Sequence, residues 1–467
     1  MAFTFSNVTG LDHGILLDIV FTKGVRDNIS RDFAEFDLVQ SIRNKEATPR
    51  ALTYKVLTHR GPGRVQYMNP GSATEAMPRG QKVGISEHTA YFKELATAIE
   101  VDSNLIQRLK ATPAKAADEL ALEMDASVFD LRRRICADFY ADGTGLLVRA
   151  KSVAATTGVA GTAKVVVTAA NMGETVDSLA AGGSITFLEE GELLLGATKG
   201  GAAADPTVTG TFYAWMVSDV DVDAGTFTIK PVSSAYANLA MSAEGIAAGT
   251  CFYRLAQSGG FPDLTSSIAD YGVASKSIVG LESLGANDGR VVNGLTMSAL
   301  FAGTRVTDTG LIDIDMMQKA FSKAKRRAGQ GAVAYNKAIV HDRAWDVLVL
   351  SKEGDRRFQS VEDNSRGSKK FVFVHGPDTI EMVVSPFCPI NRLWALPSSS
   401  KNGKVVEFHA TDMISQKSPD SGSPWHRLTG SVASTYTKQF VAYESMHLQM
   451  VAAQPSAIVS IAGFALS

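Results

Sequence analysis

Tyr140-Ala141-Asp142-Gly143-Thr144-Gly145 divides the chain into two kinds of sequence, and its reading decides the fold. Before it runs one long amphipathic helix pattern. After it, residues 146–262 are low in charge and strand-like. Thr112 is placed to cap the helix, and Pro113 suits the first helical position, where a missing N–H costs nothing. Ala117, Leu120, Met124, Val128, Leu131, Ile135 and Phe139 recur at spacings of three and four, which makes one apolar stripe. Asp118 and Glu119 near the start and Arg132, Arg133 and Arg134 near the end both oppose the helix dipole favourably. Gly143 supplies the left-handed residue that ends a helix. At 1.5 Å per residue the element is about 45 Å long. Taken alone, such a helix also suits the core of an α/β enzyme.

The wider composition bounds the problem. The chain has 467 residues, enough for two or three domains, and a formal net charge of −2 that does not by itself call for nucleic acid or an acidic membrane. Cys136, Cys251 and Cys388 are odd in number and far apart, so neither a disulfide framework nor a zinc spacing can be drawn from them. Met1-Ala2-Phe3-Thr4-Phe5 lacks the basic and apolar regions of a signal peptide. No uncharged apolar run reaches the roughly 18 residues that span a bilayer, and Ala457–Leu466 reads as a buried strand or tail.

Outward from the helix the chain changes character several times. Residues 1–50 are polar and mixed, with a helical patch over Asp27–Ile42 in which Ile29, Phe33, Phe36 and Val39 share a face. Residues 51–95 read as a long β-hairpin. Leu52–Leu57 forms one strand, Gly61-Pro62-Gly63 and Asn69-Pro70-Gly71 break it, and Val83-Gly84-Ile85 followed by Tyr91–Leu95 return. A hairpin of this length cannot bury both faces on its own subunit.

In residues 146–262 the strand candidates are Ala163–Thr168, Ser184–Leu188, Thr211–Val217, Thr226–Pro231 and Cys251–Leu255. Between Ser152 and Thr250 stand ten Asp/Glu and three Lys/Arg, a local balance of −7 that marks an inserted all-β domain with a solvated exterior. Residues 263–467 return to mixed α/β. Asp313 caps a helix with Ile314, Met317, Phe321, Ala324 and Ala328 on one face, ended by Gly329. Ala338–His341 is a strand, Asp342 caps a helix holding Trp345, Leu348 and Val349, and Gly376-Pro377-Asp378 joins a hairpin of Phe371–His375 and Thr379–Val384.

Motifs that would signal catalysis are missing. The sequence has no G-x-x-x-x-G-K-[ST], H-E-x-x-H, C-x-x-C or G-x-S-x-G. The eight histidines, His13, His59, His88, His341, His375, His409, His426 and His447, are scattered. Asp219-Val220-Asp221-Val222-Asp223-Ala224-Gly225 places acids at calcium-loop spacing, but the glycine comes one place late and Lys230 stands where the bidentate Glu belongs. The competing reading is a strand with acids on its solvent face, turning at Ala224-Gly225. Three basic clusters stand out: Arg60, Arg64 and Arg79; Arg132–Arg134; and Lys323, Lys325, Arg326 and Arg327. They read either as solvated or inter-subunit ion-pairing faces or as contacts to nucleic acid. No catalytic, cofactor-binding or metal-binding residues and no cofactor are assigned.

The ordered set of parts resembles the tailed-phage major capsid proteins with the Hong Kong 97-type fold. The strings that carry the resemblance are Asp142-Gly143-Thr144-Gly145, Lys276–Gly294 with Gly280-Leu281, Ile339–Trp345, Val383–Pro389 and Phe440–Pro455. The resemblance implies an α+β fold. Its expected parts are an N-terminal arm (1–50), an E-loop hairpin (51–98), a spine helix of the peripheral domain (99–145), an inserted β-rich domain (146–262), and axial and peripheral domains with C-terminal strands (263–467).

The same resemblance implies a non-enzymatic shell protein that assembles as hexamers and pentamers into an icosahedral head around double-stranded DNA, without sequence specificity. Scaffold, portal and possibly decoration proteins are the expected partners, with no membrane. The expected location is the virion head shell, assembled in host cytoplasm. It also raises a Lys–Asn cross-link between subunits, for which Lys55, Lys82 and Lys93 lie on the hairpin and no partner Asn is assigned. The alternatives are an encapsulin-like shell, from which the length and insertion depart, and an α/β hydrolase or binding protein with a β insertion.

Overall fold

The computed structural model describes Glu35 and residues 39–43, 50–59, 84–102, 127, 129–154, 164–176, 179–180, 182–197, 212–231, 246, 248–254, 277–293, 295–297, 302–328, 333–351, 372–400, 405–411, 414–415, 425–427 and 439–465. Three β assemblies dominate, and the helix of residues 129–140 runs into the junction among them.

The helix turns its Leu131, Ile135 and Phe139 stripe inward, each at most 4% exposed. Cys136 is buried as well, so the buried face is broader than the stripe. After Tyr140 the chain leaves the helix through Gly143 (φ +83°), the left-handed residue the stop requires. Thr112, Pro113, Ala117, Leu120 and Met124 lie outside the described residues.

Leu146–Val153, which follows the stop at once, opens a closed six-stranded barrel. Around it run Val165–Ala169, Thr226–Pro231, Phe212–Asp221, Leu193–Ala197 and Cys251–Arg254, every neighbouring pair antiparallel. Side chains alternate as the pleat demands: Val165 and Val167 are buried while Val166 between them is exposed. Trp215, Val217, Phe227, Ile229 and Phe252 fill the interior, and the Phe227 and Phe252 rings meet edge to face at 5.5 Å. Ser184–Leu188 departs from its strand expectation. Ser184 accepts a hydrogen bond from Thr186 N–H and caps a 3-10 turn at Ile185–Phe187, whose apolar residues are buried against the barrel's foot.

The second assembly, within residues 263–467, is a mixed six-stranded sheet in the order Thr304–Thr307, Val459–Ala462, Arg392–Ser400, Val333–Val340, Asp378–Val384, Val372–His375. Val459–Ala462 lies inside it with all four residues buried. The Ile314–Ala328 helix covers the sheet with Met316, Met317, Ala320, Phe321 and Ala324, and Asp313 caps it by accepting Met316 N–H at 2.8 Å. In the second helix, Asp342–Ser351, Ala344 and Leu348 are the buried pair. Gly376 (φ +62°) turns the two-residue hairpin between His375 and Asp378.

The third assembly is built on the 14-residue strand Gln439–Ala452. One edge takes Val406–Ala410, Ile414–Ser415 and Trp425–Arg427 in turn, and the other takes Lys93–Asp102 over its full length. This corrects two expectations. The hairpin return ends at Tyr91, where Phe92 N–H bonds Arg50 O at 3.2 Å, and Lys93–Asp102 belongs to a different sheet. A boundary at residue 98 therefore cuts a strand, and 99–102 are not part of the helix. At the other end, Gln40–Arg43 is a strand paired in parallel with Val406–Ala410, so the helical patch drawn through Ile42 does not hold there; residues 27–34 and 36–38 lie outside the described residues.

Candidate functional site

The hairpin is a two-stranded sheet of Ala51–His59 and Gly84–Tyr91 in antiparallel register. Its two faces differ. Tyr54, Val56 and Ala90 turn toward the subunit: Val56 and Ala90 are fully buried, and Asn293 Nδ2 donates to Tyr54 Oη at 3.4 Å. Asn293 does so from a left-handed backbone (φ 50°), and burial raises the Tyr54 pKa. The opposite face is open. Ala51, Thr53, Lys55, Glu87 and Thr89 are exposed on it, with Ile85 63% and Tyr91 65% exposed. Lys55 and Glu87, directly opposite in register, form an exposed pair at 3.3 Å. The hairpin thus rests one face on its own subunit and presents two large apolar side chains on the other.

The helix stop forms the centre of a joint. Asp142 Oδ1 accepts Thr144 N–H at 3.0 Å and Thr144 Oγ1–H at 2.5 Å, and burial raises its carboxyl pKa against those bonds. Ser283 Oγ–H donates to Asp142 O at 2.6 Å. Gly280 lies so close that a Cβ there would stand 2.3 Å from Ala141 O and 2.4 Å from Asp138 O. The Gly280-Leu281 string is therefore seated on the helix end because only a glycine allows that approach. Beside it, buried Glu282 takes Arg305 at 2.9 Å and Arg392 at 3.1 Å. Burial pulls the Arg392 guanidinium down to about 10, against the opposing charge of Glu282. A Cβ on Gly173 (φ +79°) of the barrel would collide with that guanidinium.

Further contacts tie the barrel to the body. Asn391 Nδ2 donates to Met172 O at 3.4 Å and Thr186 Oγ1 to Phe387 O at 3.4 Å. The Asp221–Thr226 turn reaches the Asp342–Ser351 helix, where Arg343 meets Asp223 Oδ1 at 3.0 Å and Asp223 O at 2.6 Å.

The residues singled out for chemistry lie apart. Asp219, Asp221 and Asp223 are all exposed on the strand and its turn. Asp221 Oδ1 accepts Ala224 N–H at 2.8 Å and Gly225 (φ +67°) completes the reversal, which matches the solvent-face reading rather than a calcium loop. Among the described residues no group of three or more His, Cys, Asp or Glu could hold a metal ion. His341 is buried against Asp342 in the turn that starts a helix, and burial lowers its pKa. His375 stacks on Phe373, far along the same sheet.

Arg133 is paired with Glu189 at 2.7 Å and with Leu188 O, and Arg134 with Asp138 at 3.0 Å. Lys325 is paired with Asp378 at 2.8 Å, and Arg327 donates to Gly303 O at 2.9 Å. These cations hold structure together. Arg60, Arg64, Arg79 and Lys82 lie outside the described residues.

Two connectors escaped sequence reasoning. Gln449 is buried and ties three segments: its Oε1 accepts Val279 N–H at 3.3 Å and Met450 N–H at 2.9 Å, and its Nε2 donates to Tyr91 O at 2.6 Å. Glu35 bridges Tyr140 and Ser385. Each looks like an ordinary polar residue in its local sequence, and the alternation of Gln449 with Leu448 and Met450 would by itself turn it outward.

No family model matches the chain, and no curated protein matches it. Solved structures to which it is similar include the cyanophage A-1(L) capsid asymmetric unit, at 10% identity and a TM-score of 0.47 over 93% of this chain and 94% of that one. The capsid of a native GTA particle is similar at 9% identity and 0.41, over 93% and 91%. The holo-SrpI encapsulin complex from Synechococcus elongatus PCC 7942 is similar at 8% and 0.35, over 93% and 89%. With TM-scores below 0.5, these likenesses carry no functional weight.

Proposed function

We propose that this chain is the major capsid protein of a tailed phage, built on the Hong Kong 97-type plan. In this reading it assembles into hexamers and pentamers that close an icosahedral head around double-stranded DNA. The observation that carries the reading is the two-faced hairpin. A two-stranded sheet is marginal by itself. This one is fixed to its subunit on one face and leaves Ile85 and Tyr91 standing on the other. An apolar, outward-held arm is suited to lie on a neighbouring copy, and many such identical contacts add up by multivalency.

The surrounding arrangement supports the same reading. The hairpin, the helix stop, the inserted barrel and the axial sheet come in the order the family resemblance implies. The work assigned to the chain is packing rather than bond-making. Scaffold and portal proteins would be partners of the assembly, and DNA contact would be electrostatic and indifferent to sequence.

Negative-stain imaging of the expressed chain, with and without its phage background, tests this directly. The expected result is closed polyhedral shells, DNA-filled in the phage. Empty shells that package protein would move the reading to an encapsulin-like compartment. Small monodisperse particles at all concentrations would remove the shell altogether.

A further inference from the structure

The described part of the N-terminal segment is fastened to its own subunit at two points. Gln40–Arg43 adds a parallel strand to Val406–Ala410, with Val39 buried beside it. Some residues earlier, Glu35 is only 2% exposed. Its Oε1 accepts a hydrogen bond from Tyr140 Oη at 3.0 Å and another from Ser385 Oγ. Tyr140 is the fully buried last residue of the helix. Ser385 starts the turn after Asp378–Val384, its N–H bonded to Val340 O at 3.0 Å and its Oγ accepting Phe387 N–H at 3.2 Å. One carboxylate oxygen therefore joins the helix end to the mixed six-stranded sheet.

The chemistry of the pocket makes this contact consequential. Burial, with the charge of Glu35 adding to it, holds the Tyr140 phenol well above its ordinary pKa, so it stays a donor. Burial pushes the thiols of Cys136 and Cys388 up, and the charge of the same carboxylate adds to the effect. Arg132 and Arg392 are the cations acting on those thiols, and among the described residues Glu35 itself makes no ion pair. Withdrawing Glu35 would leave two buried hydroxyls without their acceptor, in a place water does not reach.

We infer that Glu35 is a latch that couples docking of the N-terminal segment to the rigidity of the joint between the helix end and the Ser385 turn. Releasing the segment loosens the joint, and loosening the joint releases the segment, because a coupling free energy acts equally in both directions. Anything that draws on the residues preceding Glu35 would thereby soften the junction of the helix with the mixed six-stranded sheet. This inference does not rest on the shell reading.

Hydrogen exchange of the full chain, read by mass spectrometry, tests it. Glu35→Ala should speed exchange about tenfold or more both in Gln40–Arg43 with its partner Val406–Ala410 and in Ser385–Arg392, the scale of losing hydrogen bonds to a charged group. Glu35→Gln keeps an acceptor oxygen and should restore most of the protection. Breaking the segment from its far end gives the reciprocal arm. In a parallel ladder consecutive residues alternate in pairing, so one of Ser41→Pro and Ile42→Pro must remove a ladder N–H, and that variant should also speed exchange at Ser385–Arg392.

Should Glu35→Ala fail to fold, Tyr140→Phe and Ser385→Ala each remove one donor and should give the same pattern at several-fold. Faster exchange confined to the N-terminal segment, or an unmoved Ser385 turn in both proline variants, would overturn the coupling.

Discussion

The barrel and the hairpin are both antiparallel β structures, yet they solve the edge problem in opposite ways. The barrel closes on itself, so each of its strands has two partners and its large side chains face inward. The hairpin has two strands, and among the described residues neither pairs with anything else. The barrel needs only its own subunit, and it is clamped to that subunit at Met172, Gly173, Thr186 and Asp223. The hairpin leaves a face whose apolar residues, Ile85 and Tyr91, have no cover among the described residues. In the proposed reading, closure makes the barrel a passenger and openness fits the hairpin for assembly.

The sharpest way to break that contrast is to remove the hairpin's far end. Deleting Arg60–Gly80, which lies outside the described residues, should leave a soluble, folded subunit that makes no stable shells. Size-exclusion chromatography and negative-stain imaging report both halves of the expectation. Heat-stable particles of normal size from the deletion would show that the hairpin is dispensable and the contrast misread.

Core truncation should separate the two regions in the other direction. Phe252→Ala in the barrel and Phe139→Ala in the helix each remove a fully buried ring, and each should cost about 3–5 kcal/mol in chemical denaturation. Leu131→Ala on the same helix face should cost about 2–5 kcal/mol. Ile85→Ser on the open hairpin face should change subunit stability by no more than about 0.5 kcal/mol while impairing assembly. A stability loss at Ile85 as large as at Phe252 would mean that the open face is covered within the subunit after all.

The unequal legibility of these regions has physical causes. Thr226–Pro231 reads at full length because apolar and polar residues alternate between two turn signals. The helix stripe is legible for a similar reason: its period is local. Leu146–Val153 and Leu193–Ala197 carry no strand period of their own. Leu146-Leu147-Val148 and Leu193-Leu194-Leu195 are continuous apolar runs, which periodicity cannot tell from other buried segments. Ser184–Leu188 misled because Ile185 and Phe187 alternate like a strand, while Ser184 had already committed the backbone to a capped turn. Residues 93–98 read as part of the hairpin and 99–102 as part of the helix because the partner of this strand, Gln439–Leu448, lies at the far end of the chain. The joint was the least legible of all. Glu35, Glu282, Arg392 and Gln449 acquire their roles only from partners distant in sequence, and nothing in their own neighbourhoods distinguishes them from solvated residues.

A smaller effect tests whether the barrel is clamped at its Asp221–Thr226 turn. The Asp223–Arg343 pair is 77% and 38% exposed on its two side chains, so solvent screening limits its worth. A double-mutant cycle with Asp223→Ala and Arg343→Ala should give a coupling of about 0.2–1 kcal/mol. Protease cleavage within the turn should rise in either single variant. Zero coupling together with unchanged cleavage would release this end of the barrel from the body.

The smallest effect is expected at the barrel's other end. Leu193–Ala197 and Phe212–Asp221 run antiparallel, so the segment joining Ala197 to Phe212 leaves the barrel at the end of that strand opposite the clamped turn. At about 3.4 Å per residue, the length of Phe212–Asp221 separates the two ends by roughly 30 Å. The region's charge says where that free end should point. Ser152 to Thr250 carries a balance of −7, and packaged DNA would repel an acidic surface facing it, whereas an outer surface bears no such penalty. An affinity tag inserted at Gly200-Gly201 should therefore be tolerated, shift the subunit's melting midpoint negligibly, and be reachable by antibody on intact, DNA-filled heads. A tag that antibody reaches only after heads are disrupted would put the free end of the barrel inside and reverse the charge argument. Failure of the tagged chain to fold would show instead that this end, too, is held by the body.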